Sequence, residues 1–135
     1  MDYGFHARLK GNFETVVQRV LEALKTEGFG VLSDIDIQRA MKEKLGKEVP
    51  SHRILGACNP PLAYQALQAE ADVGLFLPCN VTVRQDGGDD IVVGFLDPDM
   101  MVRLTANPAL RQVAEEASAK LHRVRDLLQR SDSRS

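Results

Sequence analysis

The spacing of apolar residues changes repeatedly along this 135-residue chain, from steps of three and four to steps of two. A helix brings residues three and four apart onto one face, whereas a strand brings every second residue onto one face. Read in order, the spacing predicts the elements β α β α β α β β α. Helices with one apolar stripe and a sheet with one apolar face bury both in two layers. We therefore predict a two-layer α+β fold with a mostly antiparallel sheet and helices on one face.

Residues typical of helix ends mark the predicted helices. Polar caps, two of them followed by proline, precede four apolar stretches, at Asn12, at Ser33 or Asp36, at Asn59 before Pro60 and Pro61, and at Asn107 before Pro108. Such side chains accept hydrogen bonds from the first free N–H groups of a helix, and proline there lacks only a donor that would have no partner. Gly28 and Gly46 follow the first two stretches, where a left-handed residue commonly ends a helix.

Short apolar or alternating runs predict the strands, at 3–9, 29–35, 53–57, 73–84 and 91–96. The run from Val73 to Arg84 is read as extended throughout. Pro78 cannot donate to a strand ladder, so we expect it at a bulge, a strand start or an outer edge. The turn residues 86–89 join the last two runs into an antiparallel hairpin.

Length and composition exclude several classes of protein. At 14.9 kDa the chain has room for one domain, predicted as residues 1–130 with a disordered tail at 131–135. A formal net charge of −2 argues against a nucleic-acid partner, and no apolar run is long enough to span a membrane. Two cysteines and no signal peptide indicate a cytoplasmic protein with free thiols. The common nucleotide-binding, hydrolase and metalloprotease motifs are absent.

Two Cys-Asn pairs are the most unusual local chemistry in the sequence. The candidate ligand-binding residues are Cys58, Asn59, Pro60, Cys79 and Asn80, and each pair is expected where a strand meets a turn or a bulge. Backbone groups leave their ladder at such places and can face a ligand. The alternative is structural, with Asn59 as a helix cap and Cys79 packed as a small apolar residue.

The thiols allow a further alternative. Cys58 precedes a predicted helix N-terminus, whose positive partial charge lowers a thiol pKa, so it is the candidate nucleophile with Cys79 as its resolving partner. His52 shares a strand face with Cys58, so a site of two cysteines and one histidine is conceivable, although an isolated histidine is more commonly solvated. The spacing leaves open whether the two sulfur atoms meet, and no metal site is assigned.

The segments RILGACNPPLAY (53–64) and LPCNV (77–81), with residues 28–31, resemble the bacterial and archaeal family called domain of unknown function 302. The resemblance extends from Phe13 to about Val124 and implies a fold similar to the TATA-binding protein, without its DNA binding. It singles out the same five Cys-Asn residues. His52 and Ala71 stand where relatives often carry an aromatic residue and a proline, which weakens the case for His52 as a ligand.

We therefore expect a small cytoplasmic binding or accessory domain, with a pocket or interface for a small molecule at the Cys-Asn pairs. A homodimer is expected because the open face of a one-sided sheet usually needs cover. The alternatives are a thiol-dependent redox or metal-handling protein and a purely structural or protein-interaction domain. No catalytic role and no cofactor are assigned.

Overall fold

The computed structural model describes residues 1–132 and contains five strands and five α-helices in that range. The strands are β1 (Gly4–Lys10), β2 (Gly30–Asp36), β3 (His52–Cys58), β4 (Cys79–Gln85) and β5 (Asp90–Leu96). The helices are α1 (Phe13–Thr26), α2 (Ile37–Leu45), α3 (Pro60–Ala69), α4 (Asp99–Thr105) and α5 (Arg111–Asp132), with 3₁₀ helices at Ala71–Phe76 and Pro108–Leu110. Both the α+β class and the predicted order of the long elements are confirmed.

The strands form one sheet in the order β1-β5-β4-β3-β2, and every neighbouring pair is antiparallel. Alternation along each strand puts the apolar residues on one face. Helices α1 and α5 bury that face, in a core that includes Leu24, Leu55, Val81, Phe95 and Leu121. A second apolar cluster joins α3, α4 and α5 through Leu62, Ala66, Met101, Leu110 and Val113. The other face of the sheet carries mainly polar side chains and glycines.

The predicted helix caps are confirmed in detail. Asn12 and Asp36 accept hydrogen bonds from the backbone N–H groups of Thr15 and Arg39, at 3.1 and 2.9 Å. Gly46 ends α2 in the left-handed region at φ 65°. These ends follow from local sequence, because cap and helix are separated by three residues or fewer.

Two short helices were not expected from the sequence. Residues 73–76 were predicted to be extended, but Ala71–Phe76 forms a 3₁₀ helix and β4 begins only at Cys79. The alternating apolar residues suggested a strand, yet the helix buries Val73 and leaves Leu75 86% exposed. Leu75 therefore does not share the buried face of Cys79, as the strand reading required. Helix α4 was missed because seven residues are too few to show a helical period.

A side chain from α5 covers the outer edge of β1. The Gln129 amide accepts from the Arg8 backbone N–H at 2.9 Å and donates to the Arg8 carbonyl at 3.0 Å. It thus takes the place of a neighbouring strand and protects an edge that could otherwise pair with another chain.

We expect Gln129→Ala to lower the free energy of unfolding by about 1 kcal/mol, because two backbone hydrogen bonds are returned to water. Amide hydrogen exchange at Arg8 should accelerate in the same variant. Gln112→Ala, on an exposed position of α5, is the matched control and should change neither quantity. Unchanged exchange at Arg8 in Gln129→Ala would show that the edge is protected in another way.

Two expectations concern the chain as a whole. Helix α5 runs to Asp132, and residues 133–135 of the predicted tail lie outside the described residues, so the tail stays a prediction. Within residues 1–132 no helix is both long and apolar enough to cross a membrane.

Candidate functional site

The two cysteines come together at one end of the sheet. Cys58 is the last residue of β3 and Cys79 is the first of β4, where Cys79 pairs with Ala57. Both cysteines line one cleft, which Leu62 of α3, Met101 of α4 and Val113 of α5 close from the helix side. The cleft lies at the boundary between the two apolar clusters, to which its walls belong.

This cleft is narrow and apolar. Its cavity volume is about 30 Å³, and a single water needs at least ~10–15 Å³ on this measure. There is room for two or three waters, or for one bare ion, and not for a metabolite. The cleft is therefore too small to be the small-molecule pocket that the sequence predicts at the Cys-Asn pairs.

Asn59 and Pro60 have structural roles beside the cleft. The Asn59 side-chain oxygen accepts from the Leu62 backbone N–H at 3.3 Å, and its nitrogen donates to the Glu27 carbonyl at 3.2 Å. Asn59 thus begins α3 and ties it to the end of α1, while Pro60 occupies the first turn of α3. Gly28 makes this contact possible, since a Cβ there would lie 3.0 Å from the Asn59 nitrogen and its φ is +82°.

The thiols are not activated. Burial raises the pKa of Cys58, and burial together with the neighbouring Cys58 raises the pKa of Cys79 to about 11. The expectation that the N-terminus of α3 would lower the Cys58 pKa is therefore wrong. Burial in the apolar cleft removes water from the thiolate and so disfavours the charged form of Cys58.

We expect a disulfide reagent such as Ellman's reagent to react slowly with Cys58 at neutral pH. The rate should climb with pH through a midpoint above the ~8.5 of free cysteine, since only the thiolate attacks. In Cys58→Ser the remaining Cys79 should react more slowly still, because it is buried. Fast modification of Cys58 at pH 6 would contradict the pKa direction and restore the redox alternative.

Asn80 lies on the face of the sheet opposite to Cys79. It is exposed and lines a groove of about 470 Å³. Register places Thr82 of β4, Gly94 of β5 and His6 of β1 side by side across this groove. The floor of the groove at Gly94 carries no side chain. A Cβ at this position would lie only 2.7 Å from the Thr82 hydroxyl oxygen. The groove has the volume of ordinary ligand pockets.

The groove has a basic wall. Arg84 lines it and forms an ion pair with Asp86 at 3.1 Å, and Asp86 also binds Arg8 at 3.2 Å. These two arginines hold the pKa of Asp86 below its usual range. Burial and the charges of Arg84 and Arg8 lower the pKa of His6, so its ring is neutral at pH 7.

The proposed ligand set of two cysteines and His52 is not assembled. His52 and Cys58 stand at opposite ends of β3, and six residues of strand span ~20 Å, far beyond the reach of one metal ion. Among residues 1–132 no group of three or more His, Cys, Asp or Glu side chains converges as a metal site.

The sequence reading omitted the other groove residues, namely His6, Thr82, Arg84 and Gly94, as well as Met101 of the cleft. A signal for the first group was present, because Asn80, Thr82 and Arg84 alternate with the apolar residues of β4 and so share its polar face. No local signal marks Met101, which reaches the cleft through the packing of α4.

Comparison with known proteins shows the family to which the chain belongs. The family model described as domain of unknown function DUF302 matches residues 5–128. The crystal structure of an uncharacterized conserved DUF302 protein from Bacillus stearothermophilus has a TM-score of 0.87 at 30% sequence identity, covering 95% of this chain and 99% of that one. No curated protein matches the chain. Because the family model and the shared fold both cover nearly the whole chain, the protein belongs to the DUF302 family.

Proposed function

We propose that this protein is a binding domain that holds a small anionic molecule in the groove on the open face of its sheet. The observation that carries the proposal is the contrast between the two cavities. The groove offers about 470 Å³, whereas the cleft between the cysteines offers about 30 Å³. Small-molecule pockets measure roughly 300–1,000 Å³, so of these two cavities the groove has the required volume and the cleft does not.

The lining of the groove favours an anion. Arg84 and His6 contribute a positive charge and a titratable ring, and none of its described lining residues is a carboxylate. Asn80 and Thr82 add a side-chain amide and a hydroxyl group from the same strand face. Arginine binds carboxylate or phosphate through parallel N–H donors, and the neutral imidazole of His6 can donate or accept one hydrogen bond.

Apolar surface beside these groups gives the ligand a second requirement. Tyr3 and Leu96 line the same groove, and the backbone at Gly94 lies bare between the flanking side chains. A ligand with an anionic end and a flat or apolar body would satisfy both parts. Asn80 thus remains a candidate ligand-binding residue, and Cys58, Asn59, Pro60 and Cys79 support the fold from the opposite face.

The proposal is tested by titrating ¹⁵N-labelled protein with inorganic phosphate, citrate and benzoate while following backbone amide shifts. We expect saturable shifts at Thr82, Arg84 and Gly94 for at least one of these anions. Phosphate, a tricarboxylate and an aromatic monocarboxylate separate the charge requirement from the requirement for an apolar body. No saturable shift with any of the three would count against an anion groove.

Variants locate the site. Arg84→Gln is expected to weaken binding by at least about tenfold, since a charged hydrogen bond contributes ~1.5–3 kcal/mol. Asn80→Ala should leave the melting temperature of the free protein unchanged and reduce the stabilisation that the anion produces. Arg39→Gln, on the exposed surface of α2, is the matched control and should bind as the unaltered protein does. Equal losses in Arg84→Gln and Arg39→Gln would indicate nonspecific charge attraction.

A homodimer, a cytoplasmic location and a likeness to the TATA-binding protein remain predictions. The open face is largely polar, so the argument that an apolar face needs cover does not apply to it. Sedimentation of the full chain at several concentrations measures the dimer directly. We expect any association to leave the groove residues free, because two copies facing each other there would bring their Arg84 side chains together.

A further inference from the structure

We propose that Cys58, Cys79 and Met101 form a binding site for the soft cation Cu(I) in the cleft between β3, β4 and α4. These three side chains come from distant parts of the chain and line the same cavity of about 30 Å³. The site lies on the helix-covered side of the sheet and is separate from the anion groove. It therefore stands or falls independently of the proposed function.

The donor set selects a soft metal. Thiolate and thioether sulfur favour Cu(I), whereas Mg²⁺ and Ca²⁺ need oxygen ligands. Among the described lining residues there is no carboxylate and no imidazole. The one lining amide, Asn59, has its oxygen and nitrogen bonded to the backbone of Leu62 and Glu27. Structural Zn²⁺ takes four ligands, one more than these three side chains supply.

The three residues differ in burial, so the cleft has an entrance and an interior. Cys58 is partly buried, while Cys79 and Met101 are buried. The cysteines are near enough that charge on Cys58 raises the pKa of Cys79. A cation that reaches Cys58 must therefore shed most of its water to pass to Cys79 and Met101, because the cleft has room for two or three waters and not for a full hydration shell.

Binding is a proton exchange and not a redox step. Cu(I) forms a Cu–S bond to each cysteine, the two S–H bonds break, and both protons pass to water, while the copper stays monovalent. Met101 contributes a lone pair and loses no proton. The bound unit has one net negative charge, which the N-terminus of the ten-residue helix α3 partly offsets. The two thiols are the titratable groups among the described lining residues, so affinity should increase with pH.

The test is an anaerobic titration of the reduced full chain with Cu(I) in competition with bicinchoninate, a coloured Cu(I) chelator. We expect one Cu(I) per chain, two protons released per ion, and sulfur as the only ligand in the copper X-ray absorption spectrum. Binding of two or more ions with equal affinity, or a spectrum with nitrogen or oxygen ligands, would overturn the assignment.

Variants assign the ligands. Cys58→Ser and Cys79→Ser should each weaken Cu(I) binding by more than about a hundredfold, since even residues behind a ligand change affinity by 10–100-fold. Met101→Leu should weaken it less, and Met100→Leu, the neighbouring methionine outside the cleft lining, is the matched control and should have no effect. Unchanged affinity in Cys58→Ser would refute the site. Cys58→Ser is decisive if Cys79→Ser does not fold, because Cys58 is only half-buried.

Discussion

Replacing Phe95 by alanine is expected to lower the free energy of unfolding by about 3–5 kcal/mol, because a large aromatic side chain leaves a cavity in a packed core. Phe95 is 2% exposed and lies in the core where β5 meets the helices. Its ring stacks on Phe5 with centroids 5.2 Å apart, and Phe5 stacks in turn on His122 of α5 at 3.8 Å. The substitution therefore removes the ring that supports Phe5, which in turn contacts the longest helix, as well as apolar burial.

Urea unfolding followed by circular dichroism measures this loss. A domain of this size has about 5–15 kcal/mol of stability in total, so the variant should lose a large share of it and unfold at a clearly lower urea concentration. Leu104→Ala, which removes an exposed apolar side chain from α4, is the control and should cost no more than about 0.5 kcal/mol. A loss below about 1 kcal/mol for Phe95→Ala would mean that the surrounding core collapses to fill the space.

Replacing Arg53 by methionine is expected to cost about 2 kcal/mol at pH 7, because a half-shielded carboxylate loses its charged hydrogen bonds. Arg53 projects from β3 on the helix-covered side, with its side chain only 19% exposed. It binds Asp34 of β2 through two nitrogen atoms at 2.7 and 2.5 Å and reaches Glu14 of α1 at 3.1 Å. This arginine therefore connects the edge strand, its neighbour and the first helix.

The stability lost in Arg53→Met should decrease as the pH falls. The hydrogen bonds from Arg53 hold the pKa of Asp34 below its usual range. A carboxylate with a lowered folded-state pKa contributes its full stability above its unfolded pKa of ~3.9 and loses it as pH falls through the folded value. The difference between the original protein and Arg53→Met should thus be largest above pH 4 and shrink toward pH 2.

Arg39→Met is the matched control for this experiment. Arg39 also pairs with a carboxylate, Glu43 at 2.9 Å, but its side chain is 75% exposed. Exposed ion pairs contribute about 0–1 kcal/mol because water and salt screen them. Equal losses for Arg53→Met and Arg39→Met would show that shielding by α1 adds nothing to the Arg53 contacts.

Arg53 also illustrates what sequence reading missed. Arg53 is part of the apolar run predicted at 53–57, and in the structure it lies on the same face of β3 as Leu55 and Ala57. A charged residue on a buried face needs a partner, and both partners lie far away along the chain, at positions 14 and 34. No spacing rule pairs residues that distant.

The candidate sites also combine features that the sequence predicts with features that only the structure shows. That Cys79 and Asn80 face opposite sides of a strand follows from a two-residue period, although both were predicted from the sequence to lie in one pocket. That Cys58 and Cys79 share a cleft depends on the register between β3 and β4, which only the paired strands define. That Met101 lines the same cleft depends on the position of α4, a helix too short for its period to appear in the sequence.

The sequence by itself determined the long helices, their caps, the hairpin and the family, because these depend on residues near one another in the chain or on the whole pattern of the chain. The tertiary structure decided which cavity is large enough for a ligand, which thiols meet and which charges are shielded. Cavity volume, burial and the pKa changes that burial causes are sums over neighbours from all parts of the chain, and those neighbours are set only when strands pair and helices pack.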